Sequence, residues 1–149
     1  MTQNVSRRQS LQDGKISVVT DSSPDPRLGL LVVGHGSRRG PANDLLVAVT
    51  EAVAGRVAAH AVEAAFLEIA RPTIGEAYGA LVAAGCDRIV VHPYFLYPGA
   101  HTTTDIPEAL RLAAAEHGAV PWVLTDPLNL DPRIVDVVAE RVATALEAL

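Results

Sequence analysis

The chain has 149 residues, 49% hydrophobic, 19% charged and 4% aromatic, a profile that suits one domain with a real core and excludes disordered or fibrous classes. A net charge of −5 leaves no electrostatic footprint for nucleic acid, and no apolar run nears the roughly 20 residues of a membrane-spanning helix. The single Cys86 excludes an internal disulfide, and the first residues lack the apolar core of a secretory signal, so the cytoplasm is the expected compartment.

Residues 1–27 are polar and end near Ser22-Ser23-Pro24-Asp25-Pro26, the composition of a mobile extension or a loosely docked arm; one domain is expected over 28–149. Leu28 to Val33 is a continuous apolar run closed by glycine, the mark of a strand buried on both faces. Pro41 to about Ala59 has helical periodicity, with Leu45, Val49, Ala52 and Val53 on one face. Val62 to Leu67 reads as a second strand, and a helix opening near Pro72, at a first-turn position, ends before Gly85. Arg88 to Val91 forms a third strand running into His92-Pro93-Tyr94-Phe95-Leu96. Asp105, with Glu108 three residues on, has the spacing of a helix cap for a segment reaching about His117. Val120 to Leu124 is a short fourth strand, and Asp131 to Leu149 a last helix with Ile134, Val138 and Val142 on one face, which belongs either to the core or to a dimer interface.

Strands alternating with helices of this length mean βαβ units, a parallel sheet and right-handed crossovers that put helices on both faces. The expected fold is an α/β three-layer sandwich around a flavodoxin-like four-stranded sheet of order 2-1-3-4. Ligands of such sheets bind outside the carboxyl ends of the strands, where strand order reverses. The unusual residues lie there. Strand one ends in Gly34-His35-Gly36-Ser37-Arg38-Arg39-Gly40, strand two in Phe66-Leu67-Glu68, and strand three leads to Pro98-Gly99-Ala100-His101. Two imidazoles and a carboxylate, His35, His101 and Glu68, suit Co²⁺, Ni²⁺, Fe²⁺ or Zn²⁺ and leave coordination positions open for onward transfer. Histidine also serves as a proton acceptor near neutral pH.

Gly34-His35-Gly36-Ser37-Arg38, Phe66-Leu67-Glu68, Pro93 to Leu96, and Gly99-Ala100-His101 through Asp105-Ile106-Pro107 resemble the sirohydrochlorin chelatases, the class II chelatases of CbiX and SirB type. The resemblance runs over Leu28 to Leu149 and includes Asp126-Pro127-Leu128 and Asp131-Pro132. It implies insertion of cobalt or iron, or in some relatives nickel, into sirohydrochlorin for cobalamin, siroheme or related pathways. It places His35 and His101 at the metal as catalytic residues, with Glu68 as the best match for a third. The metal is then a substrate, and no tightly bound cofactor is expected. The Pro98-Gly99-Ala100 turn departs from the small residues frequent in relatives, and the extension has no family counterpart. Some members carry two such domains in one chain, so a single domain leaves one wall of the cleft missing and implies a homodimer.

Metal insertion removes two pyrrole N–H protons while the ion passes from protein ligands to ring nitrogens. On this reading His35 and His101 hold the ion against a bent macrocycle and accept protons, while Glu68 completes the ligand set or relays protons. The substrate is a polycarboxylate, for which Ser37, Arg38, Arg39 and the Thr102-Thr103-Thr104 run are candidate contacts, the threonines at a helix N-terminus. Tyr94, Phe95 and Tyr97 are candidates for the ring edge. Plainer roles compete: a histidine satisfied by backbone in a glycine turn for His35, a loop histidine for His101, a partner of Arg71 for Glu68, and surface charge for Arg38 and Arg39. His92 reads as structural or as a support to the site, His60 and His117 as solvated, and Cys86 as a small packed residue. A non-catalytic metal or tetrapyrrole carrier would share every ligand, and a regulatory protein stays open. A hydrolase or phosphotransferase lacks both the nucleophile elbow and the Gly-Lys-Ser/Thr phosphate loop.

Overall fold

The computed structural model describes residues 26–149. The extension expected over 1–27 lies outside the described residues apart from Pro26 and Arg27. Arg27 is tied down: its N–H donates to Asp87 Oδ2 (3.0 Å) and its carbonyl accepts from the Asp87 N–H (3.0 Å).

Four parallel strands, β1 (Leu28–Gly34), β2 (Ala61–Phe66), β3 (Arg88–Pro93) and β4 (Trp122–Leu124), pair in the order β2-β1-β3-β4, as expected. The connecting helices are α1 (Gly40–Ala54), α2 (Ile74–Ala83) and α3 (Ile106–His117), and α4 (Pro132–Leu146) closes the chain. Alternation along β1 divides the core. Leu31 and Val33, with Ala65, Ile89 and Val91, face α2 and α3 and meet Tyr78, Leu81, Ile106 and Leu110. Leu30 and Val32, with Ala64 and Phe66, face α1 and meet Leu46. This is the three-layer arrangement, with β1 buried on both faces as its unbroken apolar run requires.

Several local expectations are corrected. Helix α1 ends at Ala54, not near Ala59, with Gly55 as its C-terminal cap residue, still right-handed. Its inward stripe is shifted by one residue: Leu46 and Thr50 are buried, whereas Leu45 is 69% exposed. Thr50 is tolerated inside because its hydroxyl donates to the Leu46 carbonyl (2.8 Å), leaving no orphaned polar atom. Pro72 precedes α2 instead of opening it. Thr73 is the cap, its side chain accepting from the Glu76 N–H (3.3 Å) while Glu76 accepts from the Thr73 N–H (2.8 Å). Strand β4 is shorter than expected, three residues from Trp122. His60 Nε2 donates to the Ala84 carbonyl (3.1 Å), and the His117 ring lies against Gly79, where a Cβ would come to 3.0 Å. Cys86 is buried beside Gly29, as a small packed residue.

Helix α4 does not join the core. It carries the strongest amphipathic pattern of the four helices, yet none of its residues is buried. Val138 and Val142 are more than half exposed. Across the sheet, α1 covers β1 and β2, while Val90, His92 and Val123 on the β3–β4 half of that face remain partly or largely open among the described residues. Among the described residues two apolar surfaces therefore lack cover, one on a helix and one on the sheet.

Candidate metal centre

The segments that follow β1, β2 and β3 each deliver a side chain to one place. The parallel pairing of β1 and β2 extends past both strands: the Leu67 N–H donates to the Gly34 carbonyl and the Glu68 N–H to the His35 carbonyl, each at 2.9 Å. His35 and Glu68 are thus held side by side by backbone. Gly36 is required at this crossing. It has φ +97, and a Cβ there would lie 1.9 Å from the Glu68 carbonyl oxygen. At Gly34 a Cβ would meet the tip of the Leu46 side chain at 2.8 Å, so Leu46 would have to shift.

The loop after His35 is pinned by Asn43, in the first turn of α1. Its side-chain oxygen accepts from the Ser37 N–H and its amide donates to the Ser37 carbonyl, both at 2.9 Å. Asn43 was not among the sequence candidates; an amide three residues past a helix start was the available signal. Beyond Glu68, Ile69 has φ 67 while the Ala70 N–H donates to the Glu68 carbonyl (2.6 Å). A positive-φ γ-turn at an exposed β-branched residue is strained backbone, directly beside a site carboxylate.

His101 arrives from the other side, eight residues past β3. It begins a π-helical turn, His101–Asp105, in which the Ile106 N–H donates to the His101 carbonyl, and α3 follows without a break. The expected capping role of Asp105 is therefore corrected: its backbone is already helical and its side chain caps nothing. Capping falls to the turn before it. The Gly99 N–H donates to Thr102 Oγ1 (2.9 Å), and the Thr102 and Thr103 hydroxyls donate to the Gly99 carbonyl (3.0 Å each). Thr102 is buried, so its hydroxyl faces the turn and not a ligand. Glu108 pairs with Arg111.

The ligand atoms of His35, Glu68 and His101 lie within 4.8 Å of one another. His35 Nε2 stands 3.9 Å from Glu68 Oε2, and the two imidazoles meet edge to face at 5.3 Å between ring centres. Ligand atoms sharing one tetrahedral ion stand roughly 3.4 Å apart, so small side-chain rotations of these part-exposed groups bring all three onto a common ion. Each histidine has its Nδ1 engaged, His35 with the Gly36 carbonyl (3.1 Å) and His101 with Asp105 Oδ2 (2.8 Å), which leaves Nε2 as the uncommitted nitrogen of each ring. Phe95 packs against the His101 ring at 6.1 Å.

Beside His35 opens a cleft of about 400 Å³ whose walls include Leu45, Leu46, Val49, Phe66 and Tyr94. Leu45, exposed from the standpoint of the core, is a wall of this cleft. Tyr94 lines this cleft, whereas Tyr97 is 73% exposed and is not among its walls. Ser37 lines the mouth, and its hydroxyl accepts from the Arg39 N–H (3.0 Å). Arg38 and Arg39 are exposed at the rim with no ion-pair partner among the described residues. His92 stands apart from the three ligands, half-buried, with Nδ1 2.7 Å from the Thr125 hydroxyl.

The CbiX family profile matches residues 29–145, a span that contains all three converging side chains. The chain belongs to the CbiX family. Among curated relatives, the chloroplastic sirohydrochlorin ferrochelatase of Arabidopsis thaliana is 36% identical over 118 residues, covering 79% of this chain and 52% of the relative. The sirohydrochlorin cobaltochelatase of Methanothermobacter thermautotrophicus is 34% identical over 142 residues and is covered to 99% of its length. Among solved structures, the sirohydrochlorin chelatase SirB from Bacillus subtilis subspecies spizizenii, in complex with cobalt, superposes with a TM-score of 0.75 at 33% identity, over 79% of this chain and 50% of that one. This CbiX-family chain thus spans about half the length of the plant and Bacillus relatives and nearly all of the archaeal one.

Proposed function

We propose that this chain is a sirohydrochlorin chelatase, a lyase that inserts a divalent metal, cobalt or iron with nickel as a third candidate, into the tetrapyrrole. The observation that carries the reading is the convergence of His35, Glu68 and His101 from the segments after three strands onto one ion-sized space. The similarity to a sirohydrochlorin cobaltochelatase matched over 99% of its length supports the choice of reaction. The two Nε2 atoms and the Glu68 carboxylate hold the ion, leaving a coordination position toward the cleft. As ring nitrogens replace the imidazoles, the two pyrrole protons leave to the freed histidines or, through Glu68, to water. Tyr94 and the apolar wall on α1 take one edge of the macrocycle. Arg38 and Arg39 at the rim, and the Ser37 segment, answer its carboxylates. Thr102 and Thr103 support the loop that carries His101 in place of touching the anion.

A cleft of about 400 Å³ receives an edge of a tetrapyrrole and not the whole ring. A second copy of the chain supplies the missing wall. The bare apolar face of α4 supports this homodimer, since a helix with so regular a stripe and no buried residue is a surface awaiting a partner. The buried, unpaired Cys86 accords with a cytoplasmic setting, and no helix among the described residues is long and apolar enough to cross a membrane.

The test is an anaerobic absorbance assay with sirohydrochlorin and Co²⁺, Fe²⁺ or Ni²⁺. The wild-type chain is expected to turn over many times per site, and His101→Ala and His35→Ala to fall to the uncatalysed rate with unchanged circular dichroism. Unaltered turnover in both variants rejects the assignment, and stoichiometric uptake without turnover makes the chain a carrier.

A further inference from the structure

Resting on that reading, we propose that Asp105 is a positioning residue for the metallation site: it fixes the orientation and tautomer of His101, so that Nε2 is the nitrogen offered to the metal. Asp105 Oδ2 lies 2.8 Å from His101 Nδ1, and no other side chain is bonded to that carboxylate among the described residues. Asp105 has no competing structural duty. The residue stands inside the helical run, its side chain makes no cap, and the start of the segment is secured by Gly99 with Thr102 and Thr103.

The local backbone makes the pairing. His101 to Asp105 form the π-helical turn closed by the Ile106 N–H on the His101 carbonyl, a wider coil than the α-helix that continues it. Such turns are uncommon and concentrate at functional sites. Here the turn puts a carboxylate four residues along the chain directly behind the imidazole. A ligating histidine whose second nitrogen donates to a carboxylate has a defined tautomer and ring direction, and a stronger ligand lone pair on the nitrogen that remains. The other imidazole is held differently, by the neutral Gly36 carbonyl at 3.1 Å. The two histidines of the site are thus supported by unequal acceptors, the charged one behind His101. Phe95 flanks the same ring and restricts its remaining freedom.

The test uses the full chain in three measurements. First, ¹⁵N spectra of the imidazoles of the metal-free wild type, at about pH 8.5 where free histidine is neutral, are expected to show His101 protonated on Nδ1; an Nε2-protonated His101 overturns the proposal, with no variant needed. Second, Co²⁺ titration followed by the visible absorption of the bound ion is expected to weaken by about 10- to 100-fold in Asp105→Ala, with wild-type circular dichroism and thermal midpoint. Third, Asp105→Asn, which keeps an acceptor oxygen, is expected to recover part of that loss. Affinity in Asp105→Ala within twofold of wild type, while His101→Ala loses Co²⁺, overturns the role of Asp105 and leaves the metal site standing. Unchanged Co²⁺ affinity in His101→Ala overturns the metal reading itself, and the tautomer of His101 then decides alone whether Asp105 governs the ring.

Discussion

Single residues carry the site through constraints of very different kinds. Gly36 is a constraint of space: alanine there meets the Glu68 carbonyl and is forced into a left-handed conformation. Gly36→Ala is expected to destabilise the fold by at least about 1–3 kcal/mol, read by urea denaturation, and to lower Co²⁺ affinity by parting His35 from Glu68. His92 is a constraint of charge. Its burial holds its pKa below the ordinary 6.5. The unfolded chain therefore takes up a proton near 6.5 while the folded chain resists, so stability is complete above that pH and declines as pH falls toward the lower folded value. His92→Asn is expected to narrow the difference in thermal midpoint between pH 7.5 and 5.5, and an equal difference in both proteins removes His92 from the account. The convergence of His35, Glu68 and His101 was legible because ligand-type side chains followed three apolar runs, two directly at the strand ends and His101 eight residues beyond β3. Asp105 was legible only as a cap, because i, i+3 spacing to Glu108 is the signature of a capping box and nothing local reveals a π turn.

At the scale of elements, strand placement followed from hydrophobicity alone, whereas helix boundaries followed from individual hydrogen bonds. Helix α2 shows the difference. Proline near its start suggested a first-turn residue, but Thr73 and Glu76 form the reciprocal cap one residue later. Thr73→Ala is expected to cost about 1 kcal/mol, measured as a shift in the denaturation midpoint with the slope unchanged. The phase of α1 was missed because the pattern of apolar residues pointed to Leu45. Its true inner face includes a threonine that hides its hydroxyl against its own helix, a solution that periodicity does not count. The same shift freed Leu45 for the wall of the cleft, so the error in packing concealed a feature of the site.

For the whole molecule, the doubly wound order emerged from the sequence because βαβ units allow few alternatives. For α4 the sequence left two destinations open, the core or a dimer interface, because a stripe of apolar residues says that a helix is covered and not by what. In the proposed dimer that stripe is buried at a two-fold interface. Val138→Asp combined with Val142→Asp is expected to yield monomers by light scattering, with Co²⁺ binding kept and tetrapyrrole metallation reduced. A dimer that survives both changes places the interface elsewhere. One consequence follows from the way β1 and β2 run on past their ends. The hydrogen bonds at Gly34 and His35 make the backbone spacing beneath the first imidazole and the carboxylate a property of the sheet, while their part-exposed side chains keep room to turn. The span to His101 is set instead by the eight-residue path from Pro93. The grip resembles a vice with one fixed jaw and one adjustable jaw, so lengthening or shortening the chain between Leu96 and Ala100 alters the size of ion accepted while the fixed jaw keeps its shape.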